Sequence, residues 1–359
     1  MASIDIFDQL RTRLDQLAFF PKTEEKIEMK ILRRLFTEED ARLFLQLTPM
    51  LQTPEEIAKK LAASGMDHEL PLLANQLESM AKKGLLFRHR KGDQVKYAIV
   101  PYIIGIFEHQ LNHMDKTFAE ENLAYFKSGF EKSFSGMNTP LLRTIPINKT
   151  ILPELPIAPY DDVFKIVENQ KIIAISPCIC RRWARLTGNT CEKPEEVCFS
   201  FGAHADYYVE NGMGRYISKD DAIAILKKND EIGLVMQPFN AVKPGGMCSC
   251  CGDCCGVLKS IKMNPAPAQL VKSNYYVSVN ESDCSGCETC VGRCQMEAIE
   301  IVDAIAKINY DRCIGCGLCV STCPTEAMSL VQKSQDHQYL PPSSGTETYL
   351  RIAKERGLI

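Results

Sequence analysis

Eight cysteines near the C-terminus fall into two identical runs. Cys284, Cys287, Cys290 and Cys294 are spaced C-x2-C-x2-C-x3-C, and Cys313, Cys316, Cys319 and Cys323 repeat that spacing 29 residues on. Thiolates this close on one short loop converge on a soft-metal centre, and a cubane of iron and sulfide needs such ligands on several irons at once. Runs of this form hold [4Fe–4S] clusters, with the fourth cysteine of each run serving the other cluster. Cys284, Cys287, Cys290 and Cys323 are thereby assigned to one cluster, and Cys313, Cys316, Cys319 and Cys294 to the other. Gly286, Gly315 and Gly317 permit the tight turns that bring amides toward the sulfurs. Structural zinc and disulfides are the alternatives. Zinc uses C-x2-C pairs set farther apart, and four close thiols repeated twice is not its habit. The runs differ at one place, where Gln295 follows Cys294 but Pro324 follows Cys323. That difference touches loop rigidity rather than ligation.

Nine further cysteines lie upstream: Cys178, Cys180, Cys191, Cys198, Cys248, Cys250, Cys251, Cys254 and Cys255. Their spacings fit no standard ligand run, and three chemistries compete for them. A third Fe–S cluster would use Cys178, Cys180, Cys191 and Cys198, with Arg181, Arg182 and Arg185 offsetting its negative charge. Zinc would use the same four. The vicinal pairs Cys250-Cys251 and Cys254-Cys255 would instead act as redox thiols or feed another cluster. Ligand softness admits all three readings. His204 is a candidate ligand or proton carrier, though a lone histidine is more often packed or at the surface. Trp183 and Arg185 fit either plain packing or a cap over a cluster.

The remaining chain must position these groups. It has 359 residues, enough for two or three domains, and a net charge of −3, which argues against general nucleic-acid binding. Met1 to Phe20 lacks the pattern of a signal peptide, and the best apolar run, Tyr102–Phe107, is far too short to span a membrane. A soluble, cytoplasmic protein is expected. In a reducing compartment its 17 cysteines read as metal ligands or redox groups rather than disulfides.

Residues 1–132 read as a helical and winged-helix-like domain. Two helical segments break at Phe20-Pro21, and Thr37 and Thr53 each begin a capping box. A helix from about His68 to Lys83 leads into strands Leu85–Arg90 and Gln94–Val100 around Lys91-Gly92-Asp93. Lys82, Lys83, Arg88, His89, Arg90, Lys91 and Lys96 would contact DNA on the functional reading. From Glu38 to Lys96, however, nine basic residues face nine acidic ones, and the would-be recognition helix carries Glu69 and Glu78 without arginine. A partner-docking module fits that balance better. Pro101–Lys132 reads as helical after its first residue.

Residues 133–160, with Pro140, Pro146, Pro153, Pro156 and Pro159, read as a semi-rigid linker. Residues 161–272 form a cysteine-rich middle domain, in which Ser218 caps a helix ending at Gly233. Residues 273–331 form the cluster-binding domain, of βαββαβ-like pattern. Residues 332–359 are a polar tail with a short helix at Glu347–Glu355. The fold class is α+β and multidomain.

The two C-terminal runs resemble those of a bacterial two-cluster ferredoxin. The chain as a whole resembles a group of anaerobe iron–sulfur proteins that share PCICR, then C-x6-C, a CC-rich knot and a dicluster ferredoxin tail. Here those elements are Pro177–Arg181, Cys191/Cys198, Cys248–Cys255 and Cys284–Pro324. The resemblance implies electron transfer beside a larger partner oxidoreductase or a ferredoxin-like carrier. It implies no cluster assignment for the knot and no substrate. Neither a G-x-G-x-x-G nor a P-loop is present, which makes an electron-transfer component the better reading than a stand-alone enzyme. Two alternatives stand beside it: a redox-sensing winged-helix transcription regulator, and an oxidoreductase whose active centre is the middle cysteine set.

Overall fold

Capping chemistry starts most of the N-terminal helices. In the computed structural model, which describes residues 5–130, 138–147, 157–189 and 191–358, Asp5 caps α1 (Ile6–Leu17). After α2 (Ile27–Leu35) come α3 (Glu38–Gln46) and α4 (Pro54–Ala63), opened by complete capping boxes at Thr37 and Thr53. Then follow α5 (Leu70–Lys82) and the hairpin of β1 (Leu86–Lys91) and β2 (Gln94–Ile99), with Lys91 opposite Gln94. The stretch after Pro101 is not one helix. Ile103, Ile104 and Gly105 have non-helical backbone, and the Gly105 N–H turns to the Glu108 carboxylate at 2.7 Å. A single turn, α6 (Phe107–His109), precedes α7 (Lys116–Lys127), which starts afresh on its cap Asp115.

The middle of the chain builds a five-stranded antiparallel sheet. Its elements are α8 (Val163–Glu168), β3 (Ile173–Pro177), α9 (Ile179–Leu186), β4 (Glu196–Phe201), α10 (Ala203–Glu210), β5 (Arg215–Tyr216), α11 (Lys219–Glu231), β6 (Val235–Pro238) and β7 (Gly246–Cys250). The strand order is β5-β3-β4-β7-β6. Val163, Ile166, Ile175, Phe199, Leu226 and Met236 bury the face that α8 and α11 cover. The proline-rich stretch 133–160 has residues 133–137 and 148–156, with Pro153 and Pro156, outside the described residues. Its described part is no free spacer. Leu142 and Ile145 bridge to Phe239 and Met236, so the chain extends the sheet beyond β6. Arg143, buried there, pairs with buried Asp161 at 2.6 Å.

The N-terminal helices and the middle sheet share one core. Ile179, Trp183 and Tyr207 from α9 and α10 pack with Leu77, Phe87, Phe107 and Phe118. Arg88 of β1 is only 2% exposed and binds Glu78 and Glu210, each at 2.7 Å. Arg88 is thus spent inside the molecule, while Lys82, Lys83, Arg90 and Lys91 remain exposed.

The C-terminal part comprises α12 (Gly256–Met263), α13 (Pro267–Leu270), β8 (Tyr275–Val279), α14 (Thr289–Arg293), β9 (Ile299–Val302), β10 (Ile305–Ile308), β11 (Met328–Gln332) and α15 (Gly345–Glu355). β8 pairs with β11, and β9 with β10, both antiparallel. Only the first cysteine run carries a helix among the described residues; its counterpart at 318–322 is a series of turns. The tail helix α15 folds back on its own chain, with Thr348 donating to the Asn240 carbonyl and Arg356 pairing with Asp15. The whole is a mixed α+β protein, and no helix among the described residues is long and apolar enough to cross a membrane.

Candidate metal centres

The two C-terminal runs wrap two cavities. One is lined by Cys284, Cys287, Cys290 and Cys323 together with Ile301 and Met328. The other is lined by Cys294, Cys313, Cys316 and Cys319 together with Val277 and Ile299. Each cavity therefore takes three cysteines from one run and the fourth from the other. The turns need glycine: Gly315 has φ +66°, and a Cβ there would lie 2.1 Å from the Tyr275 carbonyl oxygen. Backbone amides point at sulfur, with Ala298 N–H donating to Cys294 Sγ at 3.3 Å and Ala306 N–H to Cys284 Sγ at 3.4 Å. Such donors stabilise bound thiolate. Four soft sulfurs around an apolar cavity, with amide donors, fit a [4Fe–4S] cluster.

The surroundings of the two cavities differ. Cys287 is exposed, and contact with the Thr289 hydroxyl lowers its thiol pKa. Cys316 lies deeper, and burial pushes it up to about 12. The first cavity meets solvent; the second is turned inward.

The nine middle cysteines divide into two groups. Six form a chain of thiol contacts: Cys178 to Cys180, Cys180 to Cys255, Cys255 to Cys250, Cys250 to Cys248, and Cys248 to Cys198. Strand register explains half of it. Cys198 on β4 stands directly opposite Cys248 on β7, and Cys250 follows two residues on, so all three project from one face. Cys178 sits between β3 and α9, Cys180 lies in the first turn of α9, and Cys255 caps α12. The neighbouring Cys180 and Cys250 thiols lower Cys255 to about 5, and the Cys198 and Cys250 thiols lower Cys248. Gln237 adds a donor to Cys250 at 3.5 Å.

The other three, Cys191, Cys251 and Cys254, have sulfurs all within 4.8 Å of one another. Of the set Cys178, Cys180, Cys191 and Cys198, Cys191 is the one whose sulfur meets those of Cys251 and Cys254. Cys191 belongs with the knot, because its loop crosses to the turn after β7, where Asn189 holds the Asp253 carbonyl at 2.7 Å. Each vicinal pair is split, with Cys250 and Cys255 in the six and Cys251 and Cys254 in the three.

Arg181 lies between the groups. It is 2% exposed and donates to the Pro194 and Ser249 carbonyls and, at 3.7 Å, to Cys251 Sγ. No ion pair joins it to a carboxylate among the described residues, unlike buried Arg88 and Arg143. A buried guanidinium needs compensating acceptors, and here they are two carbonyl oxygens and the Cys251 sulfur. The other two arginines of the PCICRR stretch do not share this role: Arg182 is exposed, and Arg185 pairs with Glu195 at the surface.

Trp183 is a packing residue. Its indole N–H donates to the Ala119 carbonyl at 2.8 Å, and its ring meets Phe107 and Phe126. His204 stacks on Phe87 with ring centroids 4.5 Å apart and lies against Gly245.

The C-terminal part seats on the middle sheet at Gln295. The Gly252 N–H donates to Gln295 Oε1 at 2.7 Å, and Gln295 Nε2 donates to the Gly233 carbonyl at 3.0 Å. Arg293 adds a bond to the Glu231 carbonyl at 2.9 Å. Around this seam one apolar cluster contains Cys250 and Cys255 of the knot beside Ile314 and Leu318, with Cys248, Cys294, Cys313 and Cys316 packed against it. Sequence reasoning marked Gln295 only as a departure between the runs, and it is the docking residue. Gln237 escaped notice, since a glutamine in a short strand carries no signal of its own.

Comparison with known families places a 4Fe-4S binding domain at residues 306–329, around the second cysteine run. No curated protein and no solved structure matches the chain.

Proposed function

We propose that this iron–sulfur protein is an electron-transfer component with two [4Fe–4S] clusters, one held by Cys284, Cys287, Cys290 and Cys323 and the other by Cys313, Cys316, Cys319 and Cys294. The observation that carries the reading is the contrast between the two cavities. One opens at exposed Cys287, where a soluble partner has access. The other packs through a shared apolar cluster against Cys248, Cys250 and Cys255. Clusters of this type supply one-electron transfer at potentials from roughly −700 to +450 mV. The chain's own residues set the route. The Cys287 edge exchanges electrons with a partner oxidoreductase or a ferredoxin-like carrier, and Gln295 and Arg293 hold the Cys294 edge against the middle cysteines. The six-thiol group fits a further polynuclear centre there. A reducing cytoplasm, in anaerobic metabolism, suits so many free thiols.

The helices α3–α5 with the β1–β2 hairpin are winged-helix-like in order, and serve on this reading to dock a protein partner. Buried Arg88 and the neutral charge balance favour that over nucleic acid.

The test is metal analysis of protein purified without oxygen, with EPR of the reduced form. Eight or more irons per chain are expected, at four per cubane. Fewer than eight in intact protein would remove the two-cluster reading.

A further inference from the structure

We infer that Cys191, Cys251 and Cys254 form a mononuclear site for a thiophilic divalent cation, zinc foremost, separate from the iron–sulfur ligands. Spacing carries the argument. Cys191 Sγ and Cys251 Sγ are 3.8 Å apart, and all three sulfurs lie within 4.8 Å of one another. Sulfurs bound tetrahedrally to one ion at about 2.3 Å stand about 3.8 Å apart, the edge of that tetrahedron. Ligands of a cubane sit on different irons and stand wider. The six-thiol group has that wider character, since no three of its sulfurs lie within 4.8 Å of one another.

The local sequence agrees. Cys251-Gly252-Asp253-Cys254 is a C-x2-C turn, the spacing that places two sulfurs on one zinc ion. Cys191 arrives from the loop between α9 and β4, which Asn189 ties to the Asp253 carbonyl. No fourth cysteine, histidine or carboxylate joins the group among the described residues, so the fourth position falls to water or an exogenous ligand. Charge closes as well. Three thiolates on a divalent cation leave one negative charge, and Arg181, with its guanidinium donating to Cys251 Sγ at 3.7 Å, supplies one positive charge.

The experiment uses the full chain purified without oxygen, with zinc, iron and sulfide quantified and the zinc K-edge absorption recorded after Zn²⁺ addition and desalting. One zinc per chain is expected, with three sulfur neighbours at about 2.3 Å. Cys191→Ser and Cys254→Ser should weaken zinc retention against a competing chelator at least tenfold, with iron and sulfide unchanged. Cys191→His should restore binding with a nitrogen in the shell, which separates loss of a ligand from loss of fold. Cys198→Ser, the converse control, should leave zinc in place. Iron lost from Cys191→Ser, or zinc equally retained by both serine variants, would overturn the assignment. So would wild-type protein that takes up no zinc.

Discussion

The Gly252 backbone N–H and the Gln295 side-chain oxygen, 2.7 Å apart, join the cysteine knot to the residue that follows Cys294. The same amide reaches the Gly233 carbonyl, so one side chain holds the C-terminal part by two bonds. Gln295→Ala should cost about 1–3 kcal/mol, at roughly 0.5–1.5 for each hydrogen bond. The urea midpoint of the anaerobic protein measures it. An unchanged midpoint would show that the apolar seam alone holds the two parts together.

Exchange of the fourth ligand between the runs gives a pairing that substitutions can read. Cys323→Ser should remove the same EPR signal as Cys287→Ser, and Cys294→Ser the same signal as Cys316→Ser. If Cys323→Ser instead grouped with Cys316→Ser, each run would serve a single cluster.

Arg181 is a buried positive charge beside sulfur. Arg181→Met should shift the potential of any redox centre in the middle cysteines to more negative values, because an added electron loses its nearby cation. At about 6 Å and an effective dielectric of about 20, the interaction is roughly 3 kcal/mol, or on the order of 100 mV. A potentiometric titration of both proteins decides the matter. An equal or more positive potential would contradict this role.

His109 links pH to stability. Burial lowers its pKa to about 3, while its Nδ1 lies 3.3 Å from both the Gly84 carbonyl and the Tyr207 hydroxyl. The unfolded chain takes up this proton near pH 6.5 and the folded one only near pH 3, so stability falls as pH drops between those values. The slope is up to about 1.4 kcal/mol per unit. Urea midpoints at about pH 7 and pH 5.5 should differ less in His109→Gln than in the wild type.

Glu288 lines the cavity beside exposed Cys287, and Asp283, Asp303 and Glu326 in the same C-terminal part are exposed. A cationic redox mediator should therefore reduce the protein faster than an anionic one of matched potential, and rising salt should narrow the gap. Stopped-flow traces at two ionic strengths test this. A salt-independent ratio would place electron exchange elsewhere.

Local chemistry made part of this molecule legible in advance. The capping boxes at Thr37, Thr53 and Ser218 each lie within four residues, and the structure starts helices at all three. The grouping of the middle cysteines was not legible, because it depends on long-range register. Cys198 meets Cys248 only once β4 and β7 pair, and Cys191 reaches Cys251 across 60 residues. The prolines around Leu142 and Ile145 likewise suggest a spacer, whereas the partners that make those residues an added sheet edge lie far away in the sequence. Buried Arg88 looks like a surface charge until Glu210 arrives from α10, 122 residues further along the chain.

The alternation within Cys250-Cys251 and Cys254-Cys255 bears on how the protein matures. Neighbouring residues on one short backbone belong to different thiol groups, so a metal closing either proposed site would fix the turn that the other shares. The first metal to bind would bear the ordering cost for both, filling would be cooperative, and half-loaded chains would be transient. A cell short of one metal would accumulate empty protein rather than a mixture of partly filled forms.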